Sequence, residues 1–399
     1  MQNIIVEKPY RFVPPYPGEI WTRLLRSYLP RYLRQTWGIA AAEIRGIEHV
    51  RESIRKGHGI LLAPNHCRPS DPLVMGLVNV PAGRPIHTMA SWHLFAESRF
   101  QTWLLRRIGA FSVFREGLDR EALRAAIHIL VEAKRPLVIF PEGVIWRAND
   151  RLGTLQEGVA FIARAAARQR AQATPPGQIV IHPVALKYFF EGDLPTALNP
   201  VLETIETRLS WRPQRQLPLL ERICRVGEAL LTLKEIEYLG RAQPGSHPQR
   251  LASLIDHLLG PLEKEWLNDQ REPAVIERIK RLRSAIVPDL IAGKLSEEER
   301  TRRWRQLSDI YLAQQLAGYP ADYLSERPTP ERLLETVERF EEDLTDVAHA
   351  HGPLRVVIQL GPALEVSPAR AKIGLDDPIL VNLDQQLREM LQRLANEPR

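Results

Sequence analysis

The sequence predicts an α/β fold: a mixed, largely parallel sheet flanked by helices, with a large helical insertion before a returning strand. Three observations predict it. Short apolar runs at 60–63, 86–89, 111–114, 137–140 and 179–186 alternate with helical stretches near 72–79, 92–107, 119–133 and 155–170. From 199 to 350 the chain turns rich in Glu, Arg, Leu and Gln and shows little strand signal. A strand-like run, Leu354-Arg355-Val356-Val357-Ile358-Gln359-Leu360, then returns and rejoins the sheet. The division expected is a leader with a basic amphipathic helix at 1–45, an α/β core at 46–198, a helical insertion at 199–350, and a returning strand with a C-terminal helix at 351–399.

Residues 1–18 read as an irregular leader with four prolines and no sustained apolar stretch of the kind a signal peptide needs. Residues 19–36 follow a helical period, with Ile20, Trp21, Leu24, Leu25, Tyr28 and Leu29 on one side and Arg23, Arg26, Arg31 and Arg34 around the other. Pro30 kinks or divides this helix. Such a face suits a lipid headgroup layer and equally suits packing on its own domain. In the insertion, breaks are expected near Pro213, Pro244, Pro261, Pro288 and Pro328, and no repeat of stable period is evident. Asp377-Pro378 supplies an N-cap and a first-turn proline for a final helix with Ile379, Leu380, Leu383, Leu387, Met390, Leu391 and Leu394 on its apolar side.

Composition narrows the classes. A formal charge of +6 suits anionic lipid surfaces, nucleic acid or phosphorylated cofactors without choosing among them. Two cysteines, Cys67 and Cys224, make a disulfide framework improbable and point to a reducing cytoplasm. No apolar run approaches the ~20 residues that span a bilayer as a helix. Zinc-binding cysteine pairs, His-Glu-x-x-His, Walker A, Gly-x-Ser-x-Gly and a complete Gly-x-Gly-x-x-Gly are all missing from the sequence, and His58 and His182 have no neighbours at ligand spacing. No metal or cofactor is expected.

The segment with most chemistry is Asn65-His66-Cys67-Arg68-Pro69-Ser70-Asp71-Pro72. It follows the apolar run 60–63, and Pro64 and Pro69 make it irregular. A carboxylate folded onto an imidazole fixes its tautomer and stabilises the imidazolium, the apparatus for activating a hydroxyl or amine. The bland alternative is a loop histidine beside a helix-capping aspartate. Three later blocks bear on that choice: Gly109-Ala110-Phe111-Ser112-Val113-Phe114-Arg115, Leu137-Val138-Ile139-Phe140-Pro141-Glu142-Gly143, and Ile179-Val180-Ile181-His182-Pro183-Val184-Ala185-Leu186.

In this order the four blocks resemble the motifs of the glycerolipid acyltransferase family, which acylates glycerol 3-phosphate and lysophosphatidic acid. The resemblance covers 60–186. It implies His66 as general base and Asp71 as its orienting carboxylate, with direct transfer from acyl-CoA or acyl carrier protein and no acyl-enzyme. It implies Arg115 as a phosphate ligand, against a surface arginine paired with Glu116 or Asp119. Glu142 and Gly143 would hold the acceptor, or Glu142 would bond nearby backbone amides, and the two roles are compatible. Pro183 and its flanks shape the core or line an acyl channel. Cys67 as a thiolate nucleophile is the competing chemistry.

One departure stands out. The family commonly has Ser or Thr after the Gly and then Arg, where this chain has Val144-Ile145-Trp146-Arg147. Arg147 is the candidate substitute, and a different lyso-lipid or an amino-lipid becomes an alternative acceptor. The expected partners are the thioester donor, a glycerophosphate or lyso-lipid acceptor and an anionic membrane surface on the cytoplasmic face, with no nucleic acid. A non-catalytic membrane scaffold is the alternative from another class.

Overall fold

The computed structural model describes residues 8–320, 322–324, 327–369 and 377–397. They fall into two compact units. One comprises Arg11–Phe114, Asp119–Gly192 and Gly352 onward; the other comprises Arg115–Leu118, Asp193–His351 and the described residues up to Tyr10.

The first unit is built on an eight-stranded mixed sheet. Its strands are β1 (Ile39–Arg45), β2 (Gly59–Pro64), β3 (His87–Ser91), β4 (Ala110–Val113), β5 (Leu137–Val138), β6 (Ile179–Phe190), β7 (Leu354–Leu360) and β8 (Leu364–Glu365). The order is β1-β7-β6-β2-β5-β3-β4, with β8 also on β6. Pairing is parallel except where β6 meets β7 and β8. The class is therefore α/β. β1 lies ahead of the alternation read from the sequence, because Ala40-Ala41-Ala42 carries no strand propensity and only its pairing with β7 makes it extended.

β2 and β6 are buried along their whole length, which is why they read as unbroken apolar runs rather than alternating ones. Leu61 and Ile181 pack with Leu137, Phe111 and Leu130 in one core. Helix Gly158–Ala171 brings Ala160, Ala163, Ala166 and Ala167 onto that core, small residues that let its axis approach the sheet. Gly59 is required for a similar reason: a Cβ there would fall 2.1 Å from the Leu130 carbonyl oxygen. The final helix, Pro378–Ala395, buries Leu380, Leu383, Leu387, Leu391 and Leu394. Its N-cap Asp377 accepts from the Ile379 amide at 2.9 Å and pairs with the buried Arg164 guanidinium. Pro183 sits in β6 as part of the core, and its carbonyl accepts from Gly361 at 2.8 Å. Near the start of this unit, helices Ile20–Leu25 and Leu29–Trp37 divide just before Pro30, which occupies the first turn of the second.

The second unit is helical: Leu194–Arg208, Leu219–Leu239, His247–Leu267, Val275–Ala292, Glu297–Ala317 and Pro330–Thr345. Pro213, Pro244 and Pro328 lie between helices as expected, but Pro261 and Pro288 lie inside them. Their neighbours explain it. Leu258, Leu259 and Leu262, and likewise Val287 and Leu290, are buried, and that packing outweighs the hydrogen bond each proline forfeits.

The structure also corrects the expectation that the insertion has no repeat. Arg222 clamps Glu206 through two hydrogen bonds of 3.0 and 2.8 Å and reaches Asn199 at 2.8 Å. Arg250 clamps Glu235 at 2.8 and 2.7 Å and reaches Glu228. Arg278 clamps Glu263 at 2.6 and 2.9 Å and reaches Asp256 at 2.7 Å. All six clamp residues are buried. Successive clamps recur every 28 or 29 residues, each joining the end of one helix to the start of the next. In the first two, a loop amide, that of Gln214 or Gln243, bonds the same glutamate at 3.1 Å. Two polar residues per repeat, on helices of unlike apolar pattern, leave too faint a periodicity to see in the chain alone. This unit also holds an open groove of about 1660 Å³ whose lining includes Ile223, Leu230, Leu312, Leu316, Tyr319 and Phe340.

Candidate active site

The parallel strands β2 and β5 lie side by side, and their C-terminal ends deliver two irregular segments to one place. β2 ends at Pro64 and is followed by Asn65 and His66; Asp71 opens the short helix Asp71–Met75. His66 Nδ1 lies 2.9 Å from Asp71 Oδ2. A carboxylate only accepts, so Nδ1 carries the hydrogen and Nε2 is the nitrogen left for a substrate proton. The ring stacks on Phe140, with centroids 4.1 Å apart, and its side chain remains 13% exposed, enough for a substrate to reach its edge.

Asp71 is fully buried and heavily solvated by the protein itself. Besides His66 it accepts from the amides of Cys67 (2.7 Å) and Arg68 (2.8 Å) and from the Tyr188 hydroxyl (2.6 Å). Cys67 is buried, and its thiol faces Asp71 Oδ1 at 4.0 Å, the wrong neighbour for a thiolate nucleophile.

Glu142 follows β5 and is also buried. One oxygen accepts from the His66 amide and the other from the Gly153 amide, each at 2.6 Å. Burial pushes its pKa up to about 8, against those two bonds, which favour the carboxylate. The side chain thus ties the His66 segment to the loop after β5. Gly143 takes φ +69°, a conformation that strains any residue with a Cβ. The loop is tied a second time, since the Trp146 amide donates to the His66 carbonyl at 2.9 Å. Trp146 then lies over Gly153, where a Cβ would fall 1.8 Å from its indole nitrogen. Arg147 follows with φ +56°.

Residues 43–187 match the protein-family model described as Acyltransferase. These residues form an acyltransferase domain. No curated protein matches the chain. The domain makes the protein an acyl-transferring enzyme, and the match includes the His66, Glu142 and Pro183 segments.

The structure brings His66, Asp71, Glu142 and Gly143 together in the acyltransferase domain, with Arg147 on the same loop as Glu142. Arg115 belongs to the helical unit. There burial and the neighbouring Arg283 push its pKa down to about 10, while Glu116 is held by Arg283. Four residues of the candidate site were given no role in the sequence reading. Asn65 bonds both backbone groups of Leu186 (2.7 and 3.1 Å), and Asn149 does the same to Tyr188 (2.7 and 2.7 Å). Beyond Pro64 these two side chains replace a strand on that edge of β6. Tyr188 and Phe140 complete the set. A tyrosine inside the apolar run of β6 was the available signal, because a buried hydroxyl needs a partner.

Proposed function

We propose that the enzyme moves a fatty acyl group from acyl-CoA or acyl carrier protein to a hydroxyl of glycerol 3-phosphate or lysophosphatidate, with His66 as general base. The observation that carries this reading is the His66–Asp71 pair, hydrogen-bonded at 2.9 Å with the ring stacked on Phe140. Nε2 takes the proton of the acceptor hydroxyl as its oxygen attacks the thioester carbonyl. The tetrahedral intermediate collapses with loss of the thiolate, and the imidazolium returns the proton to sulfur. Asp71 stabilises the imidazolium between these steps. Glu142 acts by holding the His66 amide and the loop to Gly153. Arg147, on the Glu142 loop, is proposed as a guanidinium ligand for the acceptor phosphate, and a phosphate-ligand role for Arg115 is proposed on its motif alone.

Purified protein is incubated with each thioester donor and a panel of acceptors, and thiol release and lipid product are followed. Release that depends on glycerol 3-phosphate or lysophosphatidate is expected. Release that only another lyso-lipid or an amino-lipid supports, unaffected by excess glycerol 3-phosphate, selects the second reading. That reading is favoured by Val144 standing where the family has a hydroxyl, with Ile145 and Trp146 between it and Arg147. Absence of release with every donor and acceptor overturns both.

The enzyme is further proposed to work at an anionic membrane on the cytoplasmic face. Among the described residues no helix is long and apolar enough to cross a membrane. Trp21 and Trp103 pack edge to face at 4.9 Å, joining helix Ile20–Leu25 to helix Arg99–Arg107. Ile20, Leu24 and Phe100 are 61%, 63% and 70% exposed on these helices, which also carry Arg23, Arg99 and Arg106. An apolar surface mixed with arginines matches an anionic headgroup layer. Ile20→Asp combined with Leu24→Asp is expected to weaken sedimentation with anionic vesicles by about tenfold or more. Unchanged sedimentation would place the membrane contact elsewhere.

A further inference from the structure

We propose that Tyr188 is a positioning residue of this enzyme, whose hydroxyl shares the charge of Asp71 and so sets the basicity of His66. The inference rests on His66 being the general base. It is carried by a continuous buried chain. Ser70 hydrogen-bonds the Tyr188 hydroxyl, Tyr188 donates to Asp71 Oδ1 at 2.6 Å, and Asp71 Oδ2 receives the imidazole at 2.9 Å. Tyr188 and Asp71 are wholly buried, and Ser70 nearly so. Tyr188 is anchored at both backbone groups by Asn149, and the Arg68 guanidinium lies 5.3 Å from its ring centroid. Tyr188 lies one residue beyond the segment that matches the acyltransferase family.

The negative charge that Asp71 presents to the imidazole depends on how many donors share it. The less of its charge a buried carboxylate shares with other donors, the more firmly it holds an imidazolium. Each donor on Asp71 weakens that hold. Two of its donors, the amides of Cys67 and Arg68, are backbone and come with any residue other than proline. Apart from His66 itself, the side-chain donors are the Tyr188 hydroxyl at 2.6 Å and the Cys67 thiol at 4.0 Å, and the hydroxyl is much the closer. The other charged or titratable groups around the pair are Glu142, which bonds the His66 amide and faces Asp71 electrostatically, Arg68, the Cys67 thiol, and Arg388, whose charge acts on Glu142. None of these changes when the tyrosine oxygen is deleted.

The test uses Tyr188→Phe, which keeps the ring and its packing, in full-length protein. The His66 titration is read from its Cε1–H signal by NMR, with His66→Gln assigning the peak, beside the pH profile of kcat/KM. His66 in Tyr188→Phe is expected to titrate about 0.5–1 pH unit higher than in wild type, with the acid limb of kcat/KM moving up by the same amount. Ser70→Ala, which only weakens the tyrosine donor, is expected to move both in the same direction by less. It keeps the proposal testable if the Phe variant folds poorly. Coincident titrations in wild type and both variants would overturn the proposal, because a purely structural tyrosine lowers activity without moving the pH limb. If His66→Gln retains turnover, the base reading falls separately, and the NMR shift still decides whether Tyr188 controls the pair.

Discussion

His66→Ala is expected to lower kcat for acyl transfer by about 10²–10⁴-fold, with thermal stability close to wild type. The ring makes one side-chain hydrogen bond and one stacking contact, on Phe140, so its loss removes the chemistry at a small cost in packing. Asp71→Asn is expected to cost a comparable factor for a different reason. An amide in place of the carboxylate still accepts through one oxygen but presents N–H to groups that are themselves donors. Either His66 and the amides of Cys67 and Arg68, which share one oxygen, or the Tyr188 hydroxyl on the other must lose its acceptor, so this variant should also melt lower. Steady-state kinetics with the best acceptor of the panel, beside thermal denaturation, separates the two. Full activity in His66→Ala would remove the general-base role and return the pair to a structural turn.

Arg222→Ala is expected to destabilise the helical unit by about 3–5 kcal/mol, the usual cost of breaking a buried ion pair from one side. Arg222 and Glu206 are each only 1% exposed, and Arg222 also satisfies Asn199. Its removal leaves a buried carboxylate with the Gln214 amide as its remaining donor among the contacts described above. Replacing Arg222 and Glu206 together, with Met and Leu, should recover much of the loss, since the penalty comes from the stranded charge rather than from absence of the pair. Chemical denaturation of wild type, single and double variants supplies the cycle. Equal losses in the single and double variants would mean that the clamp contributes geometry that apolar packing does not replace.

The alternation of apolar runs and helical stretches placed β2, β3, β4, β5 and β6 within a few residues, most clearly β2 and β6, because strands buried on both faces read as unbroken apolar runs. β1 was not legible. Its alanines are indifferent to strand or helix, and β7, its partner, is more than three hundred residues away. Among candidate site residues, His66, Asp71 and Glu142 could be singled out because they lie in short segments set by strand ends and prolines. Glu142 shows the limit of such reading: bonds to backbone amides were expected of it, but no residue spacing reveals that the amides are those of His66 and Gly153. Asn65, Asn149 and Tyr188 were invisible as a group for the same reason. They meet only because β6 extends past the end of β2, leaving an edge that side chains must satisfy.

By itself, then, the sequence determined the α/β class, the order of the elements and the residue types available for acyl transfer, all of which follow from local burial pattern and backbone preference. Tertiary structure alone decided which polar atoms pair: four donors on Asp71, two amides on Glu142, and arginine–glutamate clamps 28 or 29 residues apart. Apolar burial is nondirectional and leaves a periodic trace along the chain. A buried hydrogen bond depends on angle and distance between atoms remote in sequence, and that geometry exists only once the chain has folded.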